Sequence, residues 1–209
     1  LDNAKGQFVM FLDSDDWWYS NKIEIQIKYL LANPKIKVLG SGIISADKNM
    51  PIRVRGNNKM NNLKLNSLSD PPLAFATVCI NSRILHNYQF DQNLSVAQDI
   101  DFLQALLMKE CFSNLSDILY VYNEYDSFKQ KKMHQAWINR ISGLAKYRKK
   151  YPLAFLKQFI FIKVKIYLYD ILFKLNLQRF ILKARGKKLN EEEKKVYEHQ
   201  FLKLIETKN

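Results

Sequence analysis

The stretch Gln7-Phe8-Val9-Met10-Phe11-Leu12-Asp13-Ser14-Asp15-Asp16-Trp17-Trp18 decides how this chain is read. Gln7 to Leu12 is a short apolar run, the pattern of a strand buried on both faces. It stops at four polar residues, Asp13 to Asp16, which cannot stay inside a sheet. Two carboxylates at i and i+2, at the carboxyl end of such a strand, lie where open α/β sheets place ligands. Asp15 and Asp13, with Asp16 as the alternate, suit a hard cation, Mn²⁺ or Mg²⁺. Such an ion takes one or two protein oxygens and leaves the rest of its shell to substrate phosphates. Three acids within four residues also repel one another unless a cation or solvent relieves them. The plain alternative is a solvated turn, since Asp and Ser are common turn residues. The apolar strand before the acids and the two tryptophans after them favour the metal. An EF-hand loop is excluded, because Trp17 and Trp18 occupy positions that need a ligand and a glycine.

Working outward, Ser20 or Asn21 is placed to cap a helix in which Ile23, Ile27, Leu30 and Leu31 share a face, with Pro34 after its end. Val38 to Ala46 reads as a strand weakened by Gly40 and Gly42. Residues 47–72 are rich in Asn, Lys and Pro, without a stable period, and read as a surface excursion. Phe75 to Ile80 is a further strand candidate. A helix opens at Gln98-Asp99-Ile100-Asp101 and runs to about Lys109, and Ile118 to Tyr122 is a last short strand. Strands and helices alternating in this order predict an α/β layer architecture. There is no internal repeat and no Gly-rich nucleotide-binding loop among the 6 glycines.

The 209 residues suffice for one domain with a helical extension. Cys79 and Cys111 are the only cysteines, so a disulfide framework and a four-thiolate zinc site are excluded. They read as reduced thiols of a cytosolic protein, with Cys79 as inert core. No uncharged apolar run approaches a membrane span of roughly 18 residues. The chain opens on Leu1 with no signal-peptide pattern, and reads as a piece of something longer. The net charge of +13 is uneven: residues 1–126 carry 12 Lys and Arg against 14 Asp and Glu, residues 127–209 carry 21 against 6. That asymmetry points the C-terminal part toward an anionic surface.

An apolar strand ending in Asp-x-Asp also opens haloacid-dehalogenase phosphatases, where Asp13 would be the phosphate-accepting nucleophile and Asp15 the acid/base. The glycine-led acidic loop which that chemistry needs is not found downstream.

The segment Asn3-Ala4-Lys5-Gly6 followed by Gln7 to Trp18 resembles the "A-x-G-x-[hydrophobic run]-D-S-D-D" block of family 2 glycosyltransferases, inverting enzymes of the GT-A fold. Lys22 to Gln26 is similar to that family's helix start. A second block, Phe90-Asp91-Gln92-Asn93-Leu94 with Gln98-Asp99-Ile100-Asp101-Phe102, resembles its "F-D-x-x-L … E-D-x-D" segment. Gln98 stands where the family has Glu, and Asn123 and Tyr125 stand where many members carry the Arg and His of "Y-R-x-H". The resemblance runs from residue 1 to about 127. It implies a partial GT-A fold over residues 1–127, the metal and acceptor side, followed by a basic, mainly helical extension over 128–209. The family's N-terminal nucleotide-binding half has no counterpart in this sequence. The chain is therefore expected to bind nucleotide-sugar weakly or not at all by itself.

The resemblance further implies a donor that is a nucleotide-sugar, first of all a UDP-sugar, and a glycan or lipid-linked acceptor of bacterial surface polysaccharide synthesis. A metal on Asp15, with Asp13 on the metal or the donor ribose, would neutralise the leaving diphosphate. Asp99 matches the family's base; from the residues alone it reads equally as a helix cap, and Asp101 as a first-turn acid. Asp101, Trp17 and Trp18 are candidate substrate contacts, the tryptophans by stacking on sugar faces, with ordinary packing as their alternative. His86, His134 and His199 are scattered and read as surface or satisfied histidines.

In the tail, Leu153 to Leu182 mixes Phe, Ile, Leu and Tyr with Lys157, Lys163, Lys165, Lys174 and Arg179. It reads as a helical platform on an anionic membrane, or as helices packed on the catalytic domain. Asn190 caps a last helix with Val196, Tyr197, Phe201, Leu204 and Ile205 on one side. The expected location is the inner face of the cytoplasmic membrane. Nucleic acid is not expected as a partner, because charge alone speaks for it. A non-enzymatic binding module is the remaining alternative.

Overall fold

The computed structural model describes residues 3–124, 129–177 and 186–206. It is a mixed α/β structure built on a seven-stranded sheet. The strands are β1 (Phe8–Met10), β2 (Trp17–Trp18), β3 (Val38–Asp47), β4 (Met50–Arg55), β5 (Met60–Leu63), β6 (Cys79–Asn81) and β7 (Phe112–Asn123). The helices are α1 (Lys22–Ala32), α2 (Gln98–Leu107), α3 (Gln130–Ala145), α4 (Pro152–Lys174) and α5 (Glu191–Glu206). The main path through the sheet is β1-β6-β3-β7-β2, with β4 added to β3 and β5 to β7. Among the described residues only β3 and β7 run parallel; the crossover between them carries α2.

The period-2 pattern of β3 and β6 assigns neighbouring residues to opposite layers. Val38 and Ile80 pack with Phe102, Leu103, Leu106 and Leu107 of α2. Leu39 and Cys79 pack with Leu30 of α1 on the other face. Cys79 is fully buried and its thiol is pushed up to about 12 by burial, as expected of inert core. Gly40 and Gly42 do not weaken β3 but permit it. A Cβ on Gly40 would lie 2.5 Å from Asn114 Oδ1, and one on Gly42 2.8 Å from Asn57 Cβ. Both sit where the β3–β7 register shifts.

Several sequence expectations are corrected. β1 is not buried on both faces: its residues are half-buried, it pairs only with β6, and Leu12 is exposed. The excursion at 47–72 contains β4 and β5, because Arg53, one of the polar residues that hide the strand pattern, is buried against a distant carboxylate. Phe75 to Thr77 is a 3₁₀ turn, and only Cys79–Asn81 is strand. The last strand starts six residues earlier than Ile118, at Phe112.

The expected apolar face of α1 holds only in part. Leu30 is buried and Ile27 half-buried, but Ile23 and Leu31 are exposed, while Lys22 and Gln26 are fully buried. Gln26 Nε2 donates to Leu39 O at 3.2 Å and Thr77 O at 3.0 Å, and Lys22 Nζ donates to Thr77 O at 3.0 Å. Strand and turn carbonyls that accept from these side chains thus pull polar residues inward.

The expected boundary at 127/128 lies outside the described residues, as do Tyr125, Arg179 and Leu182. The C-terminal helices are packed on the sheet part. Asn139 of α3 donates to Val96 O at 2.9 Å. His134 of α3 meets Asp170 of α4 at 2.6 Å. The segment before α5 pairs with β4 through Val54 and Lys187. Asn190 and Glu193 form a reciprocal capping box at the start of α5 (2.8 and 2.7 Å). The packed side of α5 is Tyr197, Gln200, Phe201 and Leu204; Val196 and Ile205 face outward.

Candidate active site

The carboxyl end of β1 turns through Asp13–Asp16, with the Asp16 amide donating to Asp13 O at 3.1 Å. Asp13 and Asp15 are exposed on this turn. Asp16 is turned into the sheet. Its Oδ2 accepts from the Tyr120 hydroxyl at 2.7 Å and its Oδ1 from the Asn123 amide at 2.8 Å. Burial pushes its carboxyl up to about 6, against the pull of those two donors, and the charges of Asp15 and Asp13 add to the rise. Asp16 therefore anchors the turn to β7 and leaves the outward positions to Asp13 and Asp15.

A cavity of about 580 Å³ opens beside the turn. Asp13 lines it from β1, Asp99 and Ile100 from the first turn of α2, and Phe75 and Ala76 from the 3₁₀ turn. Residue types as far apart as positions 13 and 99 converge because β1 and the α2 layer share one core, in which Phe11, Phe75, Phe90 and Phe102 pack ring to ring. Ala97, in the left-handed region (φ 62), is the N-cap of α2 and sets the angle at which the helix starts. Asp99 is thus not the cap. Its carboxyl is raised above the ordinary range, first by burial and also by the charge of Asp13, while the amides of Ile100 and Asp99 itself oppose the rise.

Asp101 does not join Asp99 at the cavity. It is 4% exposed and paired with Lys146, whose Nζ lies 2.6 and 2.8 Å from its two oxygens. Two positions along a helix turn the side chain by roughly 200°, so Asp99 and Asp101 point to different layers. Trp17 and Trp18 do not line the cavity either. The Trp17 ring packs against Tyr19, Tyr197 and Phe201 at 5.5–5.9 Å. Trp18 carries Lys22 Nζ over its face at 5.1 Å.

The cavity also holds residues that the sequence reading passed over. Arg55, Tyr122 and Glu124 line one wall. Glu124 accepts from Ser45 Oγ at 3.0 Å and pairs with Arg53 and Arg55. Asp70, Lys132, Trp137 and Arg140 line another. Arg140 stood in the basic tail, and only the packing of α3 on α2 brings it here.

No cluster of three His, Cys, Asp or Glu side chains placed to hold a metal occurs among the described residues. The donor set nevertheless fits Mn²⁺ or Mg²⁺ in the manner those ions use with phosphates. Asp13 and Asp15 are exposed hard-oxygen ligands, and Asp16 is committed to Tyr120 and Asn123.

Comparison with known proteins fits this geometry. Residues 1–86 match the model of glycosyl transferase family 2. That match covers 86 of the 209 residues. A stretch of 33 residues is 54% identical to the UDP-Glc:alpha-D-GlcNAc-diphosphoundecaprenol beta-1,3-glucosyltransferase WfgD of Escherichia coli, covering 16% of this chain and 13% of that protein. The structure of S. aureus TarS 1-349 in complex with UDP-GlcNAc is similar over 68% of this chain and 44% of that one, with TM-score 0.50 and 18% identity. The complex of the same protein with UDP covers 68% and 42%, with TM-score 0.49 and 18% identity. The chain thus spans less than half the length of these relatives. The fold is the GT-A α/β fold in part, followed by helices, as the family resemblance implies.

Proposed function

We propose that this chain is the metal- and acceptor-side part of an inverting glycosyltransferase. It would move a sugar from a nucleotide-diphospho-sugar, first of all a UDP-sugar, to a glycan or lipid-linked acceptor of bacterial surface polysaccharide. The observation that carries this reading is the meeting, in one cavity, of Asp13 from the segment that matches glycosyl transferase family 2 and Asp99 from α2. The similar TarS structure holds UDP-GlcNAc, and WfgD is a UDP-Glc-dependent glucosyltransferase with a diphosphoundecaprenol-linked acceptor, which supports the donor and acceptor classes.

Asp15 and Asp13 would hold Mn²⁺ or Mg²⁺, which when bound supplies Lewis-acid neutralisation of the leaving diphosphate. Asp99 takes the proton from the acceptor hydroxyl as that oxygen attacks the anomeric carbon from the face opposite the leaving group. Its raised carboxyl strengthens it as a base, provided that it is ionised at the working pH. Asp16, by anchoring the turn to Tyr120, keeps Asp13 facing Asp99. The 3₁₀ turn at Phe75–Thr77 walls the cavity with apolar surface and limits water at the reacting atoms. Asp101 and Trp17 serve by packing in this reading. Helix α4 would rest on an anionic membrane at the cytoplasmic face, where a lipid-linked acceptor is presented.

The test is transfer by the protein at its full natural length, with the anomeric configuration of the product read by NMR. Asp15→Ala should abolish metal-dependent donor binding and turnover together. Retention of configuration, or donor binding indifferent to metal and to Asp15→Ala, would overturn the reading.

A further inference from the structure

The wall of the cavity formed by α3 carries a cation that the transfer chemistry above does not use. Arg140 is 4% exposed and lines the cavity. Its Nη2 donates to Gln104 Oε1 at 2.8 Å and Ser69 O at 3.0 Å, which fixes the plane of the guanidinium. Its Nε and Nη1 are buried without a hydrogen-bond partner. The carboxylate of Asp70 stands over them at ion-pair but not hydrogen-bond distance, 3.7 Å from Nε. Asp70 is half exposed and 3.8 Å from Lys165, so it can turn to that lysine and to water. Exposed Lys132 adds a second positive charge at the rim. Leaving two guanidinium donors unpaired in a buried site is costly unless an oxyanion completes them.

Asp99 and Arg140 line the same cavity of about 580 Å³. That volume has room for one sugar ring carrying a phosphate.

We propose that Arg140 is the phosphate-recognising residue of an acceptor subsite that takes a glycosyl phosphate or diphosphate, with Asp70 as a displaceable stand-in for the phosphate. This rests on the transferase reading for the word acceptor; the anion site itself does not. The acceptor sugar bridges the two ends, its hydroxyl at Asp99 and its phosphate on Nε and Nη1 of Arg140. Arg140 binds and positions here, and no bond to it forms or breaks.

The test follows the Nε–H resonance of Arg140 by NMR in the wild-type chain, titrated separately with a sugar 1-phosphate, its methyl glycoside, inorganic phosphate and UDP. The sugar 1-phosphate should shift this resonance at a concentration at least tenfold below that of the other three. Asp70→Asn, a surface change that removes the competing carboxylate, should tighten sugar 1-phosphate binding about threefold or more. Arg140→Lys, which keeps the charge and loses the fork, should weaken it about tenfold. An unmoved resonance, equal response to the neutral glycoside, or unchanged affinity in Asp70→Asn would overturn the site. A stronger response to UDP would assign the guanidinium to the donor and overturn the acceptor assignment. An intact anion site in a full-length protein that transfers no sugar would defeat the transferase reading alone.

Discussion

Asp13 and Asp99 face one cavity, and the charge of Asp13 adds to the burial that raises the carboxyl of Asp99. In the proposed mechanism the metal-side carboxylate would thus contribute to the strength of the base. Asp99→Asn should leave nucleotide-sugar affinity within about twofold and lower transfer by about 10²-fold or more, the range for losing a general base. In the metal-free protein Asp13→Asn removes a neighbouring negative charge, so the Asp99 carboxyl should titrate at lower pH than in the wild type. Calorimetry and initial rates check the first, and NMR titration of the Asp99 carboxyl the second; near wild-type transfer by Asp99→Asn would remove that residue from the mechanism.

A second expectation concerns Lys22, which is fully buried and held by Gln26 and Thr77 O. Burial lowers its ammonium to about 8. A lowered folded-state value means that this site's contribution to stability is present above the unfolded value and is lost as pH falls through about 8. Wild-type stability should thus rise between about pH 8 and 10.5. Lys22→Met keeps the length of the side chain, and should flatten that rise and stabilise the protein at pH 7 by about 1 kcal/mol or more. Urea unfolding at a series of pH values decides it; a pH-independent wild type would show that folding does not lower the Lys22 ammonium.

Lys22 also shows why part of the fold was illegible from sequence. Periodicity assigns a helix at α1 correctly but chooses its buried face by apolarity. That choice is overruled by carbonyls of Leu39 and Thr77, whose need for donors no local pattern reveals. β4 is hidden in the same way, because Arg53 looks like surface until Glu124, 71 positions later, accepts it. What was legible had local chemistry. The Asp13–Asp16 turn follows from four polar residues ending an apolar run, and the α5 cap from Asn190 and Glu193. Asp99 was visible through the family pattern, yet spacing could not separate it from Asp101. Arg140 carried no signal at all, being one basic residue among many in the tail.

The separation of Asp101 from Asp99 makes a third prediction. A Cβ on Gly143 would lie 2.5 Å from Asp101 Oδ1 and 3.2 Å from its Cγ. Gly143→Ala should therefore push the carboxylate off Lys146 and cost about 1–3 kcal/mol, as overpacking of a close contact does. Asp101→Asn should also lower stability, while leaving metal-dependent donor binding unchanged. Loss of donor binding in a folded Asp101→Asn protein would return Asp101 to the substrate.

The last prediction concerns α4. Of its 23 residues only Ile162 is buried. Leu153 is 82% exposed, and Leu156, Ile160, Val164, Tyr167 and Leu168 are exposed at three- and four-residue spacings along the helix. Lys157, Lys163 and Lys174 accompany them, and no helix among the described residues is long and apolar enough to cross a membrane. An apolar surface of this kind with a basic escort suits a helix lying in an anionic interface, its apolar groups among the acyl chains and its lysines at the headgroups. Each lysine near the surface contributes about 1 kcal/mol, and that share is screened by salt. The chain should therefore bind phosphatidylglycerol-rich vesicles more tightly than neutral ones, with affinity falling as salt rises. Replacing Ile160 and Val164 together by Glu should weaken vesicle binding about tenfold or more. Because both are exposed, stability without lipid should change by no more than about 0.5 kcal/mol per substitution. Co-sedimentation and urea unfolding read the two effects separately. Equal binding to neutral and anionic vesicles would sink the electrostatic part, and undiminished binding by the double variant would remove α4 from the contact.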